Sequence, residues 1–470
     1  MPASADDSGR SSVVLRRFDT AVDLLRLHEH TPDRYPHFLQ SATPGPQARF
    51  DILFAYPEDS LILRADGRLD GADDGNEDFL AALDTRWRRE SVPHSAQAEH
   101  LPFRGGWFLY LGYELAGQIE PRLKLPPPAG TAPIAIATRF RTALIRDHQE
   151  QVLWLVTEAG TDERLDALLR DIARTEALPE PPMPDLPAVA LAEDDPQRYL
   201  DMVRRALAYI RDGDVFQANL ARTWQAVFAG PVAAGVLYRR LRARNPGPFN
   251  GLATWPDHAV ISSSPERLVR VRGKLIDTRP IAGTRPRGQG ADADAALSRE
   301  LLAHPKERAE HIMLIDLERN DLGRVCVPGT VRVDELMALE SYAHVHHIVS
   351  NVRGELRDGV TPGAVIRALF PGGTITGCPK VRCMEIIAEL EGGGAEGRGR
   401  GAYTGAIGYL NRDGDLDLNI LIRTLEHTGD RVELRAGAGI VADSDPEREL
   451  AETRAKARGL LLALGVAPEL

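Results

Sequence analysis

The chain changes hydrophobic period several times, and each change marks an element. After Asp195 and Pro196, apolar residues recur at Tyr199, Met202, Val203, Ala206, Leu207 and Ile210, and Gly213 closes the run. That spacing is one face of a helix, opened by an N-cap and a first-turn proline. Val215–Val227 then alternates as a strand does, with Gln217, Asn219 and Ala221 on one side and Phe216, Ala218 and Leu220 on the other. The polar pair either lines a pocket or faces water, and the pattern leaves both open. Asp445 and Pro446 repeat the cap signal and predict a helix over Glu447–Leu464. Nearer the start, Arg139–Ile145 and Gln151–Thr157 read as a hairpin, and Gly105–Tyr113 as an aromatic strand.

Between these patterns lies LPEPPMPDLP (178–187), with five prolines in ten residues, a stretch that can hold neither ladder nor helix. It predicts a linker over 178–194, between a first unit of 13–177 and a second of 195–470, with residues 1–12 as a disordered tip. Strands and helices alternate irregularly, without a βαβ series. The expected class is α+β, antiparallel sheets forming a sandwich flanked by helices.

Composition narrows the function. No run of about eighteen apolar residues occurs, so no membrane partner is expected. The start lacks a signal peptide's basic and apolar regions. Three cysteines, Cys326, Cys378 and Cys383, fit free thiols in a cytoplasmic protein. A net charge of −11 disfavours nucleic acid and means that an anionic substrate would need locally arranged positive charge.

Four segments carry candidate chemistry: SSSPERLV (262–269), KERAEHIMLIDLERND (306–321), PGGTITGCPK (371–380) and AGAGIVADSDPERELAETRAK (436–456). Glu449, Glu452 and Lys456 share one side of the last helix, and Glu307 and Glu310 are three apart on another. Carboxylates from separate helices suit a hard cation such as Mg²⁺. On spacing alone, solvated faces with ion pairs Lys306–Glu310 and Glu452–Lys456 are the simpler reading. Gly372–Gly377 is no nucleotide loop, because Cys378 and Pro379 stand where Lys and Ser/Thr are required. The run His344, His346 and His347 splits its rings between strand faces, which favours one working His over a zinc site.

Taken in order, these segments resemble the chorismate-binding family, which includes anthranilate, aminodeoxychorismate, isochorismate and salicylate synthases. The resemblance covers roughly residues 190–465 and implies a sandwich of antiparallel sheets around a magnesium–chorismate site. It implies Glu310 and Glu452 as Mg²⁺ ligands, with Glu307 and Glu449 acting behind them through water. Arg423 in LIRT and Tyr403 in AYTGA would hold the enolpyruvyl carboxylate with the backbone of Gly437 and Gly439, while Thr374 contacts the ring carboxylate and Lys456 adds charge. Glu266 in SPER would protonate the departing C4 hydroxyl, since hydroxide leaves poorly. His347 matches the family's active-site His.

Water-using members of the family carry a Lys base on the first strand of this unit, where the chain has Gln217. A neutral amide cannot deprotonate water, so ammonia is the expected nucleophile. The resemblance implies a separate glutaminase subunit as its source, in a heterodimer. Asn219 in QANLA, RFDILFAYP (49–57) and PFRGGWFLYLGYELAG (102–117) resemble the members that form 4-amino-4-deoxychorismate for folate synthesis. Ala282 in PIAGT stands where some of these place a Lys nucleophile, and PIAGT also resembles the anthranilate-forming members of tryptophan biosynthesis. Amination at C4 is the leading expectation, anthranilate formation its rival, and a non-catalytic glutaminase- or metabolite-binding homologue the alternative of another class. FLQSA (38–42) keeps Ser41 but has Gln40 where tryptophan-inhibited members have Glu. Feedback inhibition by tryptophan is therefore not expected, and residues 13–177 would hold a tryptophan-like ligand or serve structure alone.

Overall fold

The structure, a computed structural model, describes residues 13–466 except 44–48, 73–74, 76, 95–97, 129–131, 162–163, 289, 304, 342–344 and 393–397, and at 282, 284–286, 291, 293, 305–307 and 345 only the backbone. His344 and the side chains of Ala282 and Glu307 lie outside the described residues.

Periodicity became structure where it was strongest. The first predicted helix is Pro196–Arg211, with the Asp195 carboxylate accepting from the Gln197 N–H, and the last is Pro446–Ala463, capped by Asp445 through the Arg448 N–H. The alternating segment is the strand Gln217–Phe228. The hairpin pairs Thr142–Asp147 with Val152–Glu158.

Every strand pairing among the described residues is antiparallel, within a twelve-stranded and an eleven-stranded sheet. Their facing sides share an aromatic-rich core: Phe54, Ile145 and Val260 from the first meet Phe108, Tyr110 and Ile407 from the second. Edge-on contacts of Phe54 with Phe103 and Phe108, centroids 4.9 and 5.3 Å apart, fix the stacking. Helices close the outer faces. Ala234–Arg244 and Pro446–Ala463 bury Leu237, Leu241, Leu460 and Leu461 against the first sheet. Phe79–Glu90, Pro305–Gly323 and Pro362–Leu369 bury Leu83, Ile315 and Ile366 against the second. This is the α+β sandwich expected.

The expected boundary between 13–177 and 195–470 divides the chain but not the sheets. His37–Gln40 pairs with Phe249–Trp255, and Gly106–Leu111 with Ala406–Asn411, so both sheets take strands from both segments. The linker also needs correction. Val189–Glu193 is an edge strand on Gln217–Phe228, and carbonyls at Leu178, Pro179 and Pro184 accept from Arg26 and Arg240. Prolines bar a ladder only where they stand; the proline-free tail pairs, and Leu186 packs on the core.

Candidate active site

Twice the chain crosses from one sheet to the other beside the same cleft, and each crossing delivers a functional side chain. Between His258–Ser264 in one sheet and Arg267–Arg272 in the other stands Glu266; between Leu416–Ile420 and Thr424–Thr428 stands Arg423. The crossings are stitched together. The Ile420 N–H donates to the Glu266 carbonyl at 3.0 Å, and the Ser263 N–H to the Arg423 carbonyl at 3.1 Å. Arg423 holds φ at 55° and Thr404 at 63°, left-handed values that non-glycine residues rarely adopt. Such strain, of order 1–3 kcal/mol each, persists where surrounding structure enforces a side-chain position.

Glu266 is buried, and desolvation pushes its carboxyl up to about 7, against smaller opposing pulls from the Thr374 hydroxyl, Arg423, the Ile281 N–H and Lys456. The Thr374 hydroxyl stands near it without the geometry of a full hydrogen bond. A carboxyl with that pKa keeps its proton in about half of the molecules at neutral pH, a fraction available for an acid's work. Arg423 is enclosed by protein yet keeps accessible surface, as a side chain lining a cleft does. Desolvation lowers its pKa, while Tyr403, Glu452 and Glu266 pull it back. His347 is buried beside Arg423 and is driven down to about 4 by desolvation, so its imidazole is neutral at physiological pH. His346 is structural, bonded to Ser341 Oγ at 2.7 Å and Asp294 Oδ1 at 2.9 Å.

Opposite stands a close approach of backbones. Gln217–Phe228 pairs with Arg431–Ile440, setting Asn219 across from Gly439 and Ala221 across from Gly437. A Cβ on Gly439 would lie 2.1 Å from Gln217 Nε2, and one on Gly437 2.8 Å from the Tyr403 hydroxyl and 3.0 Å from Asn219 Oδ1. Glycine is what lets Gln217, Asn219 and Tyr403 gather there. Gln217 Oε1 and Asn219 Oδ1 are buried acceptors with no hydrogen-bond partner among the described residues. Gln217 is buried and Asn219 half-buried, so the polar pair faces protein and not open water. Lys456 reaches the same strand, donating to the Gly437 carbonyl at 2.9 Å and pairing with Glu452 at 2.6 Å. Beneath Gln217, Gly377 holds φ at 125° against the Gln217 carbonyl, and the Cys383 thiol donates to that oxygen at 2.9 Å. All three cysteines are free.

Of the expected metal ligands, Glu449 is buried and Glu452 half-exposed on the C-terminal helix; both carboxylates act on Tyr199, and Glu452 on Arg423. Glu310 is half-buried on Pro305–Gly323. Carboxylate oxygens are the donors a hard divalent cation takes, but Glu310, Glu449 and Glu452 do not bring their ligand atoms within common reach of one ion. The acid–histidine group found within common ligating reach among the described residues is elsewhere, at His94, Asp413 and Asp415, where Arg104 already binds both carboxylates at 2.7 and 2.6 Å.

Sequence reasoning missed the support behind these residues. Arg400, buried, donates to Glu391 Oε1 and Oε2 at 2.6 and 2.8 Å and to the Asn219 carbonyl at 2.7 Å, and its guanidinium lies over the rings of Tyr113 and Tyr403. It sits beside a glycine-rich loop, where a lone Arg gives no periodic signal. Gln40 proves structural: it accepts from the Tyr238 hydroxyl and donates to Asp51, each at 3.1 Å, while the Ser41 N–H donates to Asp51.

Residues 35–462 match the family described as chorismate binding enzyme. The chain belongs to that family. It is 48% identical over 371 residues, 78% of this chain and 74% of the other, to an anthranilate synthase component I-like protein of Synechocystis sp.. To aminodeoxychorismate synthase component 1 of Bacillus subtilis it is 43% identical, over 78% of each chain. A crystal structure of anthranilate synthase component I from Streptococcus pneumoniae superposes with a TM-score of 0.75 at 32% identity, covering 89% of this chain and 93% of that one. Membership makes this an enzyme that binds chorismate, and among the described residues no helix is long and apolar enough to cross a membrane.

Proposed function

We propose that the enzyme aminates chorismate with ammonia to give 4-amino-4-deoxychorismate, with Mg²⁺ as cofactor, a separate glutaminase as ammonia source, and the cytoplasm as its compartment. The observation that carries this reading is the pair of unpartnered buried acceptors, Gln217 Oε1 and Asn219 Oδ1, beside Gly437 and Gly439. Buried acceptors are costly until a donor arrives, and ammonia brings three N–H groups. No Lys stands at Gln217 to activate water.

The Arg423 fork and the Tyr403 hydroxyl receive the enolpyruvyl carboxylate, bidentate recognition suiting Arg better than Lys. Lys456 adds charge on the same side, and Thr374 meets the ring carboxylate. Glu266 gives its proton to the C4 hydroxyl as the C–O bond breaks, so that water departs. Glu310 and Glu452 would hold Mg²⁺, with Glu307 and Glu449 behind them; the ion supplies charge neutralisation for the substrate's carboxylate in a protein of net charge −11. Neutral His347 offers a hydrogen bond but no imidazolium.

Anthranilate formation is the second reading, supported by Ala282 and by the relatives named above. Ala282 lies on a strand paired at Ile348, next to His347, and a methyl group offers no nucleophile there. Incubating the purified chain with chorismate, Mg²⁺ and an ammonium salt, with products identified by mass spectrometry, separates the two. 4-Amino-4-deoxychorismate is expected. Fluorescent anthranilate formed without any added lyase would establish the rival, and no turnover with any nitrogen source would leave the non-catalytic homologue.

A further inference from the structure

A cavity of about 730 Å³ stands apart from the active site. It lies at the turn end of the hairpin made by Phe249–Trp255 and His258–Ser264, whose other end leads to Glu266. A seven-residue strand, roughly 20 Å, separates the two. Gln40 and Ser41 are not among the cavity's walls. Those walls are mainly apolar: Trp255, Val236, and Pro181, Pro182 and Pro184 of the proline-rich segment, which Arg240 fixes by donating to the Pro184 carbonyl at 3.0 Å. Apolar walls with a few convergent polar groups are the usual make-up of a small-molecule site.

Several polar side chains around the cavity are spent on one another. Arg239 pairs with Glu29 at 2.9 and 2.6 Å, and Ser60 with Thr138 at 3.0 Å. Other groups are left over. The helix Ala234–Arg244 begins at the cavity with no side-chain cap and no acid in its first turn, and the N–H groups of Ala234 and Gly235 have no partner among the described residues. His37, 1% exposed, lines the same cavity with its Nδ1 unpartnered; the Pro36 carbonyl beside it already accepts from the Thr254 N–H and hydroxyl at 3.0 and 2.9 Å. Trp255 Nε1 is likewise buried without a partner among the described residues. These groups are neighbours: the His37 and Trp255 rings are 5.1 Å apart, and a Cβ on Gly235 would lie 3.6 Å from His28 Nε2. His28 donates through Nδ1 to the Tyr35 carbonyl at 2.7 Å, and burial lowers its pKa, so the ring is neutral and Nε2 offers a lone pair. Buried polar groups left unpaired are costly until a partner arrives.

We propose that this cavity binds an aromatic monocarboxylate that carries an amino or hydroxyl group beside its carboxylate. The carboxylate accepts from the Ala234 and Gly235 N–H groups, where the start of the helix adds favourable charge. The amino or hydroxyl group donates to His28 Nε2, next to Gly235, and the flat ring lies between Trp255 and the prolines, with His37 and Trp255 Nε1 completing the hydrogen bonding. A second carboxylate finds no place, because Arg239 is committed to Glu29 and Asp33 is exposed at the rim. The site does not depend on which reaction the enzyme performs, since binding is read without turnover.

Titration calorimetry of the full chain with 2-aminobenzoate and with benzoate is the test. Wild type should bind 2-aminobenzoate, and benzoate about fivefold more weakly for want of the bond to His28. Ala234→Pro removes one of the two N–H groups at the first position of a helix, where proline is well tolerated. Ala233, at φ −71° and ψ 139°, already has the extended backbone that precedes a proline. The variant should melt with wild type and bind 2-aminobenzoate about tenfold more weakly, the effect of one hydrogen bond to a charged group. Equal affinity in the two proteins overturns the proposal, as does a wild type that binds nothing at millimolar concentration or binds benzoate as tightly as 2-aminobenzoate. If Ala234→Pro does not fold, Trp255→Phe, which keeps a ring but loses the indole N–H, gives the same comparison.

Discussion

Removing Glu391 should test how the fold supports the residues around Tyr403, because it strips the carboxylate that pairs with the deeply buried guanidinium of Arg400. The Arg400 and Glu391 side chains are 2% and 8% exposed and meet at 2.6 Å. Glu391 Oε1 also accepts from the Ala221 N–H at 2.8 Å, and Arg400 spends its other donors on the carbonyls of Asn219 and Ile375 and on the Thr404 hydroxyl. In Glu391→Ala the cation stays buried without its partner. Breaking a buried pair from one side costs about 3–5 kcal/mol. The variant should therefore unfold at lower urea, with a stability loss of about 4 kcal/mol from the unpaired charge. Because Arg400 lies over Tyr403 and holds the Asn219 backbone, KM for chorismate should rise as well. The double variant Glu391→Ala with Arg400→Met removes the orphaned charge and should regain about 2 kcal/mol of that loss. Equilibrium urea unfolding followed by tryptophan fluorescence measures both. A single variant within about 1 kcal/mol of wild type, or a double variant no more stable than the single, would refute this account of the pair.

Other outcomes follow from the close backbone approach and the acidic helix. Gly439→Ala should fold, since its Cβ meets the flexible end of Gln217, but should raise KM for ammonium about tenfold, the effect of one lost hydrogen bond; an unchanged value in steady-state kinetics removes Gln217 from ammonia binding. Gly437→Ala should instead lower stability, because its Cβ meets the Leu220 carbonyl at 2.6 Å, a backbone atom with nowhere to go; thermal unfolding would show it. Glu452→Ala should lose most turnover and weaken Mg²⁺ binding by isothermal calorimetry, whereas Glu447→Ala, exposed on the same helix, should change neither. Equal behaviour of the two would contradict the assignment of the helix face. The glycine-loop residue Glu396, whose loss should also change little, lies outside the described residues.

Local pattern determined the elements. Cap residues, first-turn prolines and a single apolar face suffice for Pro196–Arg211 and Pro446–Ala463, because the free energy that orders a helix turn comes from residues three and four apart. The motifs also named the residues that meet: Glu266, Arg423, Tyr403, His347 and Lys456 were all legible, as was the neutral Gln217. What the chain read alone could not show is which strands become neighbours. A sheet is ordered by pairings between distant segments, and here they run across the predicted boundary, from His37–Gln40 to Phe249–Trp255. Burial of charge was equally hidden. Glu318 and Arg400 look like ordinary surface residues in a charged sequence; their burial arises because Glu318 is packed beneath Gly373 and because Arg400 bonds the Asn219 carbonyl 181 residues away. Desolvation depends on everything that surrounds a group in space, so only the tertiary structure decides which carboxyls hold their protons.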